Sequence, residues 1–164
     1  MHSATLSVLV ENEAGVLARV IGLFSGRGYN IDSLTVASVD AERGQSRINV
    51  VTSGTEMVIA QIKAQLDRLV PVYRVADLTR EGAYIARELA LIKVVADGIS
   101  RSESLRIADA FRARVIDATT SSFVFELTGG TEKIDAFIAL MRPLGLAEIS
   151  RSGVAAIARG PRTI

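Results

Sequence analysis

No cysteine occurs among the 164 residues, which excludes disulfides, thiolate metal sites and a cysteine nucleophile. The only histidine, His2, stands beside the first residue, so this chain alone builds neither a histidine-based triad nor a multi-histidine metal site. Neither sign of charge is in excess: 19 lysines and arginines face 18 acids, and the net charge is +1. That balance removes the broad electrostatic footprint of a nucleic-acid or anionic-membrane binder. No apolar run approaches the roughly 20 residues of a membrane helix. The opening Met1-His2-Ser3-Ala4-Thr5-Leu6 reads neither as a secretory signal nor as an arginine-rich organelle leader, so a cytoplasmic setting is expected. Catalysis by aspartate, glutamate or lysine stays open, but the composition leans towards binding.

What is there is the mixture of a folded protein, 49% hydrophobic and 23% charged, long enough for one large domain or two small ones. Leu6, Val8 and Val10 alternate with Ser7 and Leu9, which predicts a buried strand over residues 5–11. Asn12-Glu13-Ala14-Gly15 breaks it. Val16, Leu17, Val20, Ile21 and Phe24 then form a helical stripe that ends in the glycines of Ser25-Gly26-Arg27-Gly28. Residues 30–39 and 46–52 are β-rich, with a polar hairpin stretch between them. Ser53 and Glu56 have capping-box spacing ahead of a second helical face made by Val58, Ile59, Ile62, Leu66 and Leu69. Residues 72–78 close the unit as a strand.

Thr79-Arg80-Glu81-Gly82 is the expected linker, after which the same order repeats. Residues 88–96 read as a strand, and Ser100 with Glu103 as a second capping box opening a helix. Strands follow over 114–119 and 122–127, and Gly129-Gly130-Thr131 leads into a helix stopped at Pro143 and Gly145. Residues 146–158 have strand character bent at Ser152-Gly153, before what reads as a loose tail at Arg159-Gly160-Pro161-Arg162. The prediction is an α+β chain of two tandem ferredoxin-like βαββαβ domains, residues 1–79 and 80–164. Each is small for a self-sufficient core. Helices would cover one sheet face and leave the other face and the edge strands available, so pairing into a dimer is expected.

The most informative stretch is Glu11-Asn12-Glu13-Ala14-Gly15-Val16-Leu17, where strand passes into helix. Amides at a helix start lack intrahelical acceptors, and the helix dipole adds partial positive charge there. Such a place can hold an anion, including the carboxylate of a free amino acid. Gly15 has no side chain to keep a ligand from the backbone, and Asn12 can donate and accept, which suits a zwitterion. The plain alternative is that Asn12 or Glu13 caps the helix while Gly15 serves the turn.

Other clusters read more blandly. Gly26-Arg27-Gly28 follows a helix, unlike a dinucleotide fingerprint, and is a helix end; Asn30 after it could supply an amide to a pocket. Arg101, Arg106, Arg112 and Arg114 are offset by Glu103, Asp109 and Asp117 without interleaved aromatics, the pattern of a solvated face. Gly129-Gly130-Thr131 lacks the rest of a phosphate loop, and Lys133 does not restore its spacing. Glu126 and Asp135 show no partner for acid–base work.

Glu11 through Val20, Gly22-Leu23-Phe24-Ser25 and Arg27-Gly28-Tyr29-Asn30-Ile31-Asp32-Ser33-Leu34-Thr35-Val36 together closely resemble the small, regulatory subunit of acetolactate synthase (acetohydroxyacid synthase). Gln61-Ile62 to Leu69-Val70, Arg87 through Val94 and Arg151-Ser152-Gly153-Val154 extend the likeness over nearly the whole chain. The resemblance implies an effector-binding ACT domain followed by a C-terminal ferredoxin-like domain, with no active site and no cofactor in this chain. Thiamine diphosphate, magnesium and FAD are expected on the large catalytic subunit, which such a chain binds, activates and places under feedback inhibition by valine or another branched-chain amino acid. It further implies an effector held between two ACT domains, with Asn12, Ala14, Gly15, Val16 and Leu17 on one wall and Asn30 and Ile31 across the interface. Many relatives carry proline where this chain has Ala14, which loosens the loop but keeps the backbone donors.

Two other classes stay in view. One is a free-standing amino-acid sensor or transcriptional regulator, although no basic recognition helix is appended. The other is a small carboxylate enzyme of ferredoxin-like fold, against which the missing histidine, cysteine and metal motifs count.

Overall fold

Alternation of side chains decides the first sheet. In β1 (His2–Glu11) the residues Ala4, Leu6, Val8 and Val10 are buried on one face. They line up with β3 (Gln45–Gly54) through Leu6 opposite Val50 and Val8 opposite Ile48. β2 (Ser33–Asp40) flanks β3, and β4 (Val72–Asp77) flanks β1, giving the antiparallel order β2-β3-β1-β4. Two helices cover the apolar face: α1 (Val16–Arg27) with Val16, Val20 and Phe24, and α2 (Glu56–Asp67) with Ile59, Ile62 and Leu66. These side chains form one core, the main stabilising term of the unit.

The order then repeats in β5 (Tyr84–Val95), α3 (Gly98–Ala110), β6 (Arg114–Ala118), β7 (Ser122–Gly129), α4 (Thr131–Met141) and β8 (Leu146–Arg151). The second sheet has the matching order β6-β7-β5-β8. Ala90, Ile92, Phe125 and Leu127 face Ile134, Phe137 and Met141 across its core. Phe137 stands edge-on to Phe111 at 5.4 Å and to Phe125 at 5.9 Å. A 3-10 turn carrying Pro143 ends α4, and Gly145 follows at φ 104. A Cβ at Gly145 would lie 2.1 Å from the Val95 carbonyl oxygen, so this position admits only glycine. The chain is thus α+β, with the predicted ferredoxin-like repeat. The structure describes residues 1–164 and is a computed structural model.

Three local expectations are corrected. Ser53 does not cap α2: strand pairing continues to Gly54 opposite His2, and Thr55 is the cap, its hydroxyl accepting from the Val58 amide at 3.3 Å. Ser100 lies inside α3, which starts at Gly98 after Asp97, and Glu103 is engaged by Arg106 instead of reaching back. Residues 146–158 are two strands, β8 and β9 (Ala155–Ala158), separated at Gly153 with φ 86.

The compact units are Met1–Ala86 with Val154–Ile164, and Arg87–Gly153. Chain order suggested a division at 79/80, but the final segment belongs to the first unit. There Val154, Ala156, Ala158 and Ile164 pack with Val51, Ala76 and Leu78 on the sheet face opposite the helices. That face was expected to be open. The tail is likewise held, with the Arg159 amide on the Ala83 carbonyl at 3.0 Å and the Arg162 guanidinium on the Glu81 carbonyl. No helix is long and apolar enough to cross a membrane.

Candidate effector-binding turn

Two backbone bonds fix the turn after β1. The Glu11 amide donates to the Pro71 carbonyl at 2.9 Å, and the Asn12 amide to the Gly44 carbonyl at 2.7 Å. The chain then reverses through Gly15, at φ 86 and ψ −8, and enters α1 with no side-chain cap and no acid in the first turn. The Val16 amide makes only a 3.4 Å bond to the Glu13 carbonyl, and the first bond closing the helix runs from Arg19 to Gly15 at 3.1 Å. The amides of Leu17 and Ala18 fall among those that an α-helix leaves without an internal acceptor. Asn12, Glu13, Ala14 and Gly15 are exposed, and Leu17 is 36% exposed, so donors and a branched apolar side chain meet at one open turn. Val16 is buried in the core, which leaves only its backbone to face a ligand. Tyr73 flanks the turn, its phenol held above the ordinary tyrosine range by loss of hydration and by Glu11 and Glu13.

The second predicted group lies where α1 ends. Gly28 closes the helix at φ 69 with its amide on the Ser25 carbonyl at 3.3 Å, and the Tyr29 amide bonds the Phe24 carbonyl at 3.0 Å. Asn30 is exposed, and its carbonyl accepts from the Thr52 hydroxyl at 2.6 Å. Ile31 is half-buried against the core. The Asn30 side-chain amide donates to the Asp32 carboxylate, which also accepts from Ser53.

Within one chain these two groups are not brought together. Asn12 is tied to Gly44 at one end of β3 and Asn30 to Thr52 near the other. At a rise of ~3.3 Å per residue the anchors are about 25 Å apart along the strand. The 12-residue helix α1 separates the same two groups. A site using both must draw them from two copies. β2 is the edge strand beside Asn30 and exposes Val36 and Val39, an apolar edge suited to a second copy.

The remaining clusters carry structure. Arg101 stacks on Phe123 at 4.0 Å and Arg106 pairs with Glu103, so these two arginines of the cluster are engaged within the chain. Thr131, after the paired glycines, donates to Glu88 at 2.9 Å. Buried Glu88 also takes a two-pronged bond from Arg151 at 2.7 and 2.9 Å, and Arg151 reaches Asp135 at 2.7 Å. The Arg151 bonds hold the Glu88 carboxyl below the ordinary carboxylate range against the opposing effect of burial. Asp135 therefore does have a partner, but in an ion pair. No three histidine, cysteine or acidic side chains converge as metal ligands.

The first βαββαβ unit, with its uncapped, glycine-led first helix, is an ACT-type domain: residues 6–74 match the family described as the AHAS small subunit-like ACT domain. Residues 87–160 match the family described as the small subunit of acetolactate synthase. The chain belongs to the acetolactate synthase small subunits, the non-catalytic regulatory subunits of that enzyme. It is 48% identical over 158 residues to the acetolactate synthase isozyme 3 small subunit of Escherichia coli K12, covering 96% of each chain. It is 43% identical over 156 residues to a probable acetolactate synthase small subunit of Archaeoglobus fulgidus, covering 95% of this chain and 96% of that one. The crystal structure of the acetolactate synthase small subunit from Thermotoga maritima superposes with a TM-score of 0.88 at 34% identity, covering 99% of this chain and all of that one.

Proposed function

We propose that this chain, in the cytoplasm, binds the large catalytic subunit of acetolactate synthase, raises its activity and subjects it to feedback inhibition by valine or a related branched-chain amino acid. The observation that carries the effector part is the open, uncapped start of α1 at Gly15. The carboxylate of the amino acid takes the amides of that turn, with Asn12 beside them. Its side chain lies against Leu17. Asn30 and Ile31 come from a second copy, because in one chain they lie at the far end of α1 from Gly15.

Regulation then follows from preference. An effector seated between two copies favours the arrangement of the dimer in which it fits, and the catalytic subunit responds to that shift. A coupling of about 1–3 kcal/mol changes affinity about 5- to 150-fold, ample for feedback control. The test is reconstitution. The isolated chain is expected to consume no pyruvate. Added to the large subunit it raises activity and makes it valine-sensitive, while equal activity and equal valine response with and without the chain would overturn the proposal.

A further inference from the structure

Asn30 is oriented by a neighbour that sequence reading did not single out. Its side-chain amide donates to Asp32, and Ser53 donates to the other carboxylate oxygen. A carboxylate only accepts hydrogen bonds, so the asparagine must turn its NH2 towards Asp32 and its carbonyl oxygen away. The backbone is fixed as well, by Thr52 on the Asn30 carbonyl at 2.6 Å and by the Asp32 amide on the Val51 carbonyl at 2.8 Å. The exposed end of this group therefore presents an acceptor, with a negative charge directly behind it. The turn at Gly15, by contrast, presents donors.

We infer that Asp32 is a positioning residue that fixes the Asn30 amide with its oxygen outward and thereby makes the effector site select a primary ammonium group. The inference rests on the proposed effector site and adds to it the basis of its selectivity. A branched-chain amino acid matches both ends, carboxylate to amides and ammonium to the Asn30 oxygen. The 2-oxo acid of the same carbon skeleton keeps the carboxylate and the branched side chain. Where the amino acid has three N–H donors, however, it brings a carbonyl oxygen, which would face the Asn30 oxygen and the Asp32 charge, acceptor against acceptor. The site thus distinguishes an amino acid from its deaminated counterpart by charge, although their shapes nearly coincide.

The test is calorimetric titration of the full-length chain with L-valine and, separately, with 3-methyl-2-oxobutanoate. The wild type is expected to bind valine at least about tenfold more tightly than the oxo acid. Asp32→Asn offers a neighbour that can donate or accept, freeing the Asn30 amide to flip. Valine affinity should then fall about tenfold while affinity for the oxo acid holds or rises, so the ratio collapses. Ser53→Ala leaves the carboxylate in place and should lower valine affinity only two- to threefold. In an NMR spectrum, the Asn30 side-chain amide resonances should move on Asp32→Asn with the thermal midpoint unchanged. An unchanged valine-to-oxo-acid ratio in Asp32→Asn overturns the positioning role while leaving the effector site standing. Failure of the wild type to bind valine, or valine binding untouched by Gly15→Asp, overturns the site and this inference with it.

Discussion

Replacing Gly15 by alanine and by aspartate separates backbone strain from electrostatics at the proposed effector turn. Gly15 has φ 86, and a Cβ built there meets nothing within 4 Å. Alanine therefore costs only the left-handed conformation, roughly 1–2 kcal/mol, or about 2–8 °C in thermal midpoint for a chain of this size. Aspartate tolerates that conformation better, and its carboxylate can bond the helix-start amides for ~0.5–1 kcal/mol. The aspartate variant should thus melt above the alanine variant. Effector binding should rank the other way. Alanine leaves the amides open and should weaken valine only severalfold, whereas aspartate sets a carboxylate about 4 Å from where the ligand's would lie. At an effective dielectric of 20 that repulsion is about 4 kcal/mol, roughly a thousandfold in affinity. Thermal unfolding and calorimetry on both variants measure the two rankings. Equal valine affinities for alanine and aspartate, or an aspartate variant less stable than alanine, would refute the assignment of an anion site to this turn.

Arg151→Ala strips Glu88 of its two-pronged partner while the carboxyl stays buried, and should cost about 3 kcal/mol by denaturant unfolding. Because Glu88 is held below the ordinary carboxylate range in the folded state, its contribution is complete above the unfolded value of about 4.3 and is lost as pH falls through the lower folded value. The stability gap between wild type and Arg151→Ala should therefore shrink in acid; a gap that widens on acidification contradicts the pairing. Thr55→Ala should cost about 1 kcal/mol by removing the cap of α2. Ser53→Ala leaves that cap intact and should not raise amide exchange in the first turn of α2, as hydrogen-exchange measurements can show.

Period-two alternation in Leu6, Val8 and Val10 and the stripe Val16, Val20, Phe24 made the helix-covered core legible, because burial on one face imposes those periods. The capping residues were less so: a Ser-x-x-Glu spacing cannot show that Ser53 is still paired in a strand or that Ser100 is already helical. The outer face of the first sheet was hidden for a different reason. Thr5, Ser7 and Asn49 are polar, yet they are buried. That face is covered by the last segment of the chain, with Arg47 donating to the Ser7 hydroxyl at 2.8 Å and to the Ile164 carbonyl at 3.4 Å. Only tertiary structure joins residues so far apart in sequence. At the proposed site, Gly15 and Asn30 stood out by residue type and place, whereas Asp32 gained a role only once its bonds to Asn30 and Ser53 were in view.

The separation of the two proposed half-sites has a thermodynamic consequence. With Asn12 and Asn30 anchored at opposite ends of β3, a single copy offers donors without the matching acceptor. In the proposed site an effector therefore binds two copies together, and whatever favours the dimer raises effector affinity. Linkage makes the relation reciprocal: if dimerisation tightens valine binding tenfold, saturating valine tightens the dimer by the same factor. Sedimentation at graded protein concentrations should show the dimer persisting to lower concentration with valine present, and apparent valine affinity should fall on dilution through the dissociation range. An effector held within one copy would show neither dependence, so dilution alone discriminates a site shared between copies from a site completed by one.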